Sequence, residues 1–185
     1  MNLPNKLSLL RVCMIPFFVA FGLIEAQWAQ LIALLIFVVA SLTDMLDGQI
    51  ARRRGLVTNF GKFIDPIADK LLVMSALVVL VEQGRMPGWV CILMLAREFA
   101  ISGFRLVAAD SGKVIAAGWL GKVKTVTQMA CVIALLLLTP AGDMQPLLGQ
   151  AGVVVANITV YVAAVMTVWS GVDYIVKNFD CIKDY

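Results

Sequence analysis

Four aspartates recur at fixed offsets in the run Asp44-x2-Asp47-Gly48-x2-Ala51-Arg52-x8-Gly61-x3-Asp65-x3-Asp69. Carboxylates set into apolar sequence are costly, at roughly 2.5–3.5 kcal/mol each near the centre of a membrane helix. Four together also repel one another unless something positive holds them. A hard divalent cation is the natural counter-charge, because it takes oxygen ligands and tolerates several carboxylates. One or two Mg²⁺ or Mn²⁺ ions with positions open to phosphate oxygens can clamp both the attacking and the leaving oxygen of an in-line phosphoryl displacement. Arg52 adds a fixed cation with bidentate reach for phosphate. The chemistry these residue types suit is phosphoryl transfer.

Helices must position them. Asp44, Asp47, Gly48 and Ala51 follow the offsets i, i+3, i+4, i+7 and share one helical face, with small residues leaving room for a bulky ligand. Asp65 and Asp69 are i and i+4 on the next helix. Pro66 suits the first turn of that helix, Asp65 has the type and place of its N-cap, and Gly61 is expected in a loop that closes on a ligand. Two antiparallel neighbours then present two pairs of carboxylates to each other. If the aspartates served only to cap a helix and to pair with Arg52, Arg53 and Arg54, the register of the whole run would be left without a reason.

Composition says where this happens. The chain has 185 residues, of which 61% are hydrophobic and 15% charged, with a mean hydropathy of +0.92. Soluble domains carry about 45–50% apolar and about 25% charged residues. An all-α polytopic membrane protein is expected, one domain over 1–185 with its motif at 44–69. The apolar runs are unbroken rather than alternating, which excludes a β-barrel. The chain has no histidine, and this removes His-based triads and His-ligated zinc. The four cysteines are scattered without C-x-x-C spacing, and neither a disulfide nor a metal site is read from them. Lys6 before an apolar run invites a signal-peptide reading, but Arg11 interrupts the run and no A-x-A site follows.

Six transmembrane helices are predicted, over 7–23, 28–43, 67–81, 89–107, 117–139 and 151–172. The second is expected to continue beyond the hydrocarbon to about Arg53. Residues 2–11 carry Leu3, Leu7 and Leu10 at helical spacing and suit either a short interfacial amphipathic helix or a ragged start to the first span. Breaks fall at Gly84 with Met86-Pro87-Gly88, at Asp110-Ser111-Gly112 and at Pro140-Ala141-Gly142-Asp143. Lys6, Arg11, Arg52, Arg53, Arg54, Lys62, Lys113, Lys122, Lys177 and Lys183 gather on one side, facing only Glu25, Glu82, Arg85 and Asp143 on the other. Both termini and the aspartate run are therefore expected to face the cytoplasm from the cell membrane.

Further charges interrupt the later spans. Arg97, Glu98 and Arg105 lie in the fourth, and Lys122 and Lys124 open the fifth. Arg97 and Arg105 are about 80° apart around a helix, close enough for one pocket. Lys122 and Lys124 point to different sides, and Lys124, sharing a face with Gly121, Thr125 and Gln128, is the better candidate for that pocket. Basic residues beside a carboxylate-lined metal site suit an anionic acceptor. Alternatively, Glu98 pairs with one arginine while the lysines snorkel to headgroups.

The aspartate run resembles, at every defined position, the signature of the CDP-alcohol phosphotransferases. The resemblance implies a six-helix membrane enzyme, a homodimer, that transfers a phosphatidyl-type group from a CDP-linked donor to an alcohol. It implies that Asp44, Asp47, Asp65 and Asp69 hold the metal ions and that Asp69 is also the base. Gly48, Ala51, Arg52 and Gly61 would line the cytidine diphosphate pocket. Asn5-x-Leu7-Ser8-x-x-Arg11, Ala96-Arg97-Glu98-Phe99-x-Ile101-Ser102-x-x-Arg105 and Gly121-Lys122-x-Lys124-Thr125 resemble segments of the bacterial phosphatidylglycerophosphate synthases. That likeness implies CDP-diacylglycerol as donor and sn-glycerol 3-phosphate as acceptor, its phosphate meeting Arg97, Arg105, Lys124, Lys122 and Arg11. Membrane lipids are the other expected partners, and nucleic acid is not one. Other acceptors, inositol phosphate or phosphatidylglycerol, share the metal motif. A divalent-cation transporter would use the carboxylates as a selectivity ring, but all four lie at one end.

Overall fold

Six α-helices account for most of what the computed structural model describes, residues 3–54, 59–110, 115–116, 118–139 and 148–179. They are α1 (Leu3–Gly22), α2 (Gln27–Arg54), α3 (Asn59–Glu82), α4 (Gly88–Asp110), α5 (Trp119–Leu138) and α6 (Gly149–Asn178). No strand occurs among the described residues. Helices suit these segments because each satisfies its own backbone N–H and C=O groups without water. Three, over Asn5–Gly22, Trp119–Leu138 and Gly149–Asn178, are long and apolar enough to cross a membrane, and α2 adds a shorter apolar stretch, Gln27–Thr43. The outer surface is greasy as well: Phe17, Ile92, Leu106 and Val165 are 62%, 68%, 74% and 62% exposed. The turns expected at 111–112 and 140–143 lie outside the described residues.

Three local expectations are corrected. α1 runs unbroken from Leu3, so no separate interfacial helix precedes it. Its polar residues Asn5, Ser8 and Arg11, three apart, are buried in the bundle rather than laid on an interface. α3 begins at Asn59, eight residues before the predicted window. Gly61 therefore sits in a helix and not in a loop. Asp65 and Pro66 fall in the second and third turns, so Asp65 is no N-cap and Pro66 no first-turn residue. A proline removes one backbone bond from a helix, a loss that membrane helices tolerate where neighbouring groups compensate. α2 does continue past Asp44, to Arg54.

Packing fixes how these helices hold the site. α1 packs against both α2 and α3, which touch each other only sparsely. Ala33, Phe37 and Ala40 follow i, i+4, i+7 on α2 and are fully buried; the Phe18 and Phe37 rings lie 5.9 Å apart. α6 packs along α5, with Gly152, Ala156, Val160, Ala163, Thr167 and Gly171 all buried. Small residues at three- and four-residue spacing let backbones approach, which is how helices associate where no water drives them together. A Cβ on Gly152 would meet Leu148 Cβ at 3.0 Å.

The end of α3 away from the aspartates is tied by one arginine. Gly84, at φ +67°, ends the helix: its N–H reaches Val81 O and the Arg85 N–H reaches Leu80 O, both at 2.9 Å. This is a Schellman cap, and it turns Arg85 back into the bundle. Arg85 Nε donates to Thr139 Oγ1 at 3.1 Å, and Nη1 donates to Gln30 Oε1 and Gln83 Oε1 at 2.7 Å each. Nη2 donates to the Leu135 carbonyl. Gln30 Nε2 in turn donates to Gly22 O and Ile24 O at 2.9 Å, and Gln83 also reaches Gly22 O. One cation thus gathers the C-terminal ends of α1, α3 and α5, where helix dipoles favour positive charge. By sequence alone Arg85 counts only toward orientation.

Candidate active site

α2 carries Asp44, Asp47, Gly48, Ala51 and Arg52 in its last turns, and α3 carries Gly61, Asp65 and Asp69 in its first half. Both helices keep the register that the spacing requires. The side chains of residues 44–63, 65 and 66 lie outside the described residues. The expected meeting of Asp44, Asp47 and Asp65, and the pocket expected from Gly48, Ala51, Arg52 and Gly61, lie there with them. No acidic or thiol cluster able to hold a metal occurs among the described residues, a set that includes the side chain of only one of the four aspartates. The donor set itself, four hard carboxylates at helical offsets, fits Mg²⁺ or Mn²⁺.

Asp69 is the described member of the run. It lines a cavity of about 40 Å³ together with Lys70, Glu98, Lys124, Thr125 and Gln128, closed behind by the apolar side chains of Val73, Met74, Leu77 and Leu95. The last aspartate and the charged residues of α4 and α5 thus share one space between three helices.

Lys124 is 1% exposed and its ammonium is paired with Glu98 Oε1. Asp69 and Arg97 both act on it electrostatically. Lys122 is exposed and does not line this cavity. Arg97 reaches Glu98 Oε1 at 3.5 Å through Nη1 and Ser170 Oγ at 3.1 Å through Nη2. Arg105 Nε donates to Tyr174 Oη at 3.1 Å, and its guanidinium carbon stands 5.3 Å from the centre of that ring. The two arginines therefore lean on successive turns of α6, close enough to repel each other. Glu98 does pair with an arginine, but Lys124 does not snorkel. It is the most deeply buried cation of the group. Arg11 lies elsewhere: fully buried on α1, it donates from Nε to the Ala40 carbonyl at 3.3 Å, one turn before Asp44.

Several residues here escape a reading by motif. Lys70 Nζ donates to Ser102 Oγ at 2.5 Å, and Ser102 Oγ donates to the Glu98 carbonyl at 2.6 Å. Ser170 and Tyr174 supply the α6 partners of the arginines. Gly171 leaves the space that Arg97 fills, since a Cβ there would meet Arg97 Cγ at 3.2 Å. The available signal is the polar run Thr167, Ser170, Asp173, Tyr174 in an otherwise apolar helix.

The model of the CDP-alcohol phosphatidyltransferase family matches residues 1–169. A CDP-diacylglycerol–glycerol-3-phosphate 3-phosphatidyltransferase of Bacillus subtilis (strain 168) is 42% identical over 98% of this chain and 97% of its own length. Proteins of the same name from Sodalis glossinidius (strain morsitans) and Salmonella typhimurium (strain LT2) are 42% and 41% identical, over 95% and 94% of this chain and 93% of each relative.

Proposed function

The chain belongs to the CDP-alcohol phosphatidyltransferase family, and we propose that it transfers a phosphatidyl group from CDP-diacylglycerol to sn-glycerol 3-phosphate, giving phosphatidylglycerophosphate and CMP. The observation that carries the assignment is the shared cavity, which Asp69 of the signature lines together with the buried Lys124. An acid–base group and an anion-binding cation in one cavity suit an acceptor that is at once an alcohol and a phosphate.

The reaction then runs as follows. CDP-diacylglycerol enters from the lipid, its diphosphate held at the aspartate run and by Arg52, with Gly48, Ala51 and Gly61 beside the cytidine end. Asp44, Asp47, Asp65 and Asp69 would hold one or two Mg²⁺ or Mn²⁺ ions, which supply charge neutralisation for the diphosphate and the departing CMP. Lys124, Arg97 and Arg105 hold the phosphate of the acceptor, while Arg11, bonded to α2 one turn before Asp44, borders the aspartate run from α1. Asp69 takes the proton from the primary hydroxyl. That oxygen forms a bond to the lipid-side phosphorus as the bond from this phosphorus to the CMP oxygen breaks. The architecture that goes with this reading is six spans in the cell membrane, as a homodimer, with both termini and the site on the cytoplasmic side; the one-sided distribution of lysine and arginine supports the orientation.

The test is CMP release by the purified protein in lipid micelles, given CDP-diacylglycerol, Mg²⁺ and a panel of alcohols. Release with glycerol 3-phosphate alone is expected. Release only with inositol phosphate or phosphatidylglycerol moves the acceptor, and ion flux in liposomes without any CMP sinks the enzyme reading. The two lysines are expected to separate in the same assay. Lys124→Met raises the KM for glycerol 3-phosphate by about 30-fold or more, as loss of a buried charge partner costs 2–5 kcal/mol; Lys122→Met, at an exposed position, changes it far less.

A further inference from the structure

The cation cluster is already occupied by an anion of its own. Glu98 touches both Lys124 and Arg97, and its one negative charge offsets part of their two positive ones. The partners differ in depth: the Glu98 side chain is 22% exposed, that of Lys124 only 1%. Lys124 is fixed in the wall, so the carboxylate is the partner free to swing outward. The space beside the pair, about 40 Å³, is far below the roughly 300 Å³ at which pockets for small molecules begin. With the pair closed, the described residues leave little room beside Lys124. The surrounding donors are also undersupplied. Gln128 Nε2, one turn after Lys124 on the cavity wall, and Arg97 Nε are buried with no hydrogen-bond partner among the described residues, a condition that normally signals a missing acceptor.

Resting on the acceptor proposed above, we infer that Glu98 is a resident stand-in for the acceptor's phosphate. Its carboxylate holds Lys124 and Arg97 in place while the site is empty and must be displaced when the phosphate arrives. The displacement makes Glu98 a specificity-determining residue. A ligand able to evict a carboxylate from two cations must carry more charge and more acceptor oxygens than a monoanion. The phosphate of glycerol 3-phosphate meets that demand and also presents oxygens to Gln128, whereas a neutral polyol does not. Without such a gate, two buried cations would take any small anion from the cytoplasm.

Inorganic phosphate is the probe. In wild-type protein it is expected to compete weakly with glycerol 3-phosphate in CMP release. In E98Q, which keeps the shape of the side chain and removes its charge, the inhibition constant for inorganic phosphate falls by about tenfold or more, the scale on which like charges in contact repel. The KM for glycerol 3-phosphate falls with it, while kcat does not rise. Inorganic phosphate also raises the melting temperature of E98Q more than that of wild type. E98D, which retains the charge, keeps the wild-type response. A raised KM in E98Q, or an unchanged inhibition constant, overturns the stand-in role. If E98Q does not fold, the conservative change carries the test through Gln128→Leu: this variant should lose phosphate affinity, and an unaltered constant overturns the cavity as the landing place. Absence of wild-type turnover with glycerol 3-phosphate defeats the functional reading instead, so the two failures are distinguishable.

Discussion

Asp69→Asn is expected to slow CMP release by about 10²–10⁴-fold, the usual worth of a positioned general base. Asparagine has nearly the shape of aspartate, so the change removes a proton acceptor and a charge without opening a hole in α3. Among the described residues Asp69 is the member of the aspartate run that lines the cavity shared with Lys124 and Glu98, which is where an acceptor hydroxyl has to be to lose its proton. Two roles are proposed for this one carboxylate, and they leave different traces. If it is chiefly a base, kcat of the variant recovers as pH rises and hydroxide takes over the proton, at unchanged metal requirement. If it is chiefly a ligand, the Mg²⁺ concentration needed for half-maximal rate climbs instead. Wild-type turnover from the variant removes Asp69 from both.

The second large effect is on stability and lies at the other end of the bundle. Arg85→Met should cost about 2–5 kcal/mol, because each buried acceptor left without its donor costs about 1–3 kcal/mol. Methionine matches the stem but leaves Gln30 Oε1, Gln83 Oε1 and Thr139 Oγ1 short of their donor and withdraws a cation from the carbonyl of Leu135. The check is thermal unfolding in detergent, with CMP release per folded molecule as the control. A lower melting temperature with unchanged specific activity is expected, since Arg85 stands in the α3–α4 connection, remote in sequence from the aspartates. Burial lowers the guanidinium from its ordinary value to about 10. The unfolded chain therefore binds the proton more tightly, and the pH dependence from this group is confined to the interval between those values, where stability rises with pH. Between pH 6 and 9 its contribution should be flat. An unaltered melting temperature in Arg85→Met sinks the tie.

The contrast between these two residues shows what the sequence could disclose. Asp69 belongs to a run set at helical offsets, so periodicity alone places it on a helix, and α3 carries it. Helix number and order were equally legible, because long apolar segments separated by Gly and Pro leave the backbone few choices. Arg85 was opaque. A single arginine in a short connection looks like a solvated charge until the left-handed Gly84 turns it inward, and all its acceptors but Gln83 come from positions 50 and more residues away. Pro66 misled in the opposite sense, since a proline beside an aspartate imitates a helix start when the helix has already run two turns. Lys122 and Lys124 could be ranked by the company each keeps on a helix, but the depth of Lys124 and its union with Glu98 depend on how α4 meets α5.

α2 and α3 lean on α1 rather than on each other. The separation of the two helices is then gauged by the girth of a third, much as the jaws of a caliper are held by a spacer. Trimming Phe18 or Ile15, apolar residues with no part in any bond made or broken, would reset that gauge. The spacing of the two helices is in this sense a property of ordinary greasy packing, one helix removed from the aspartate run.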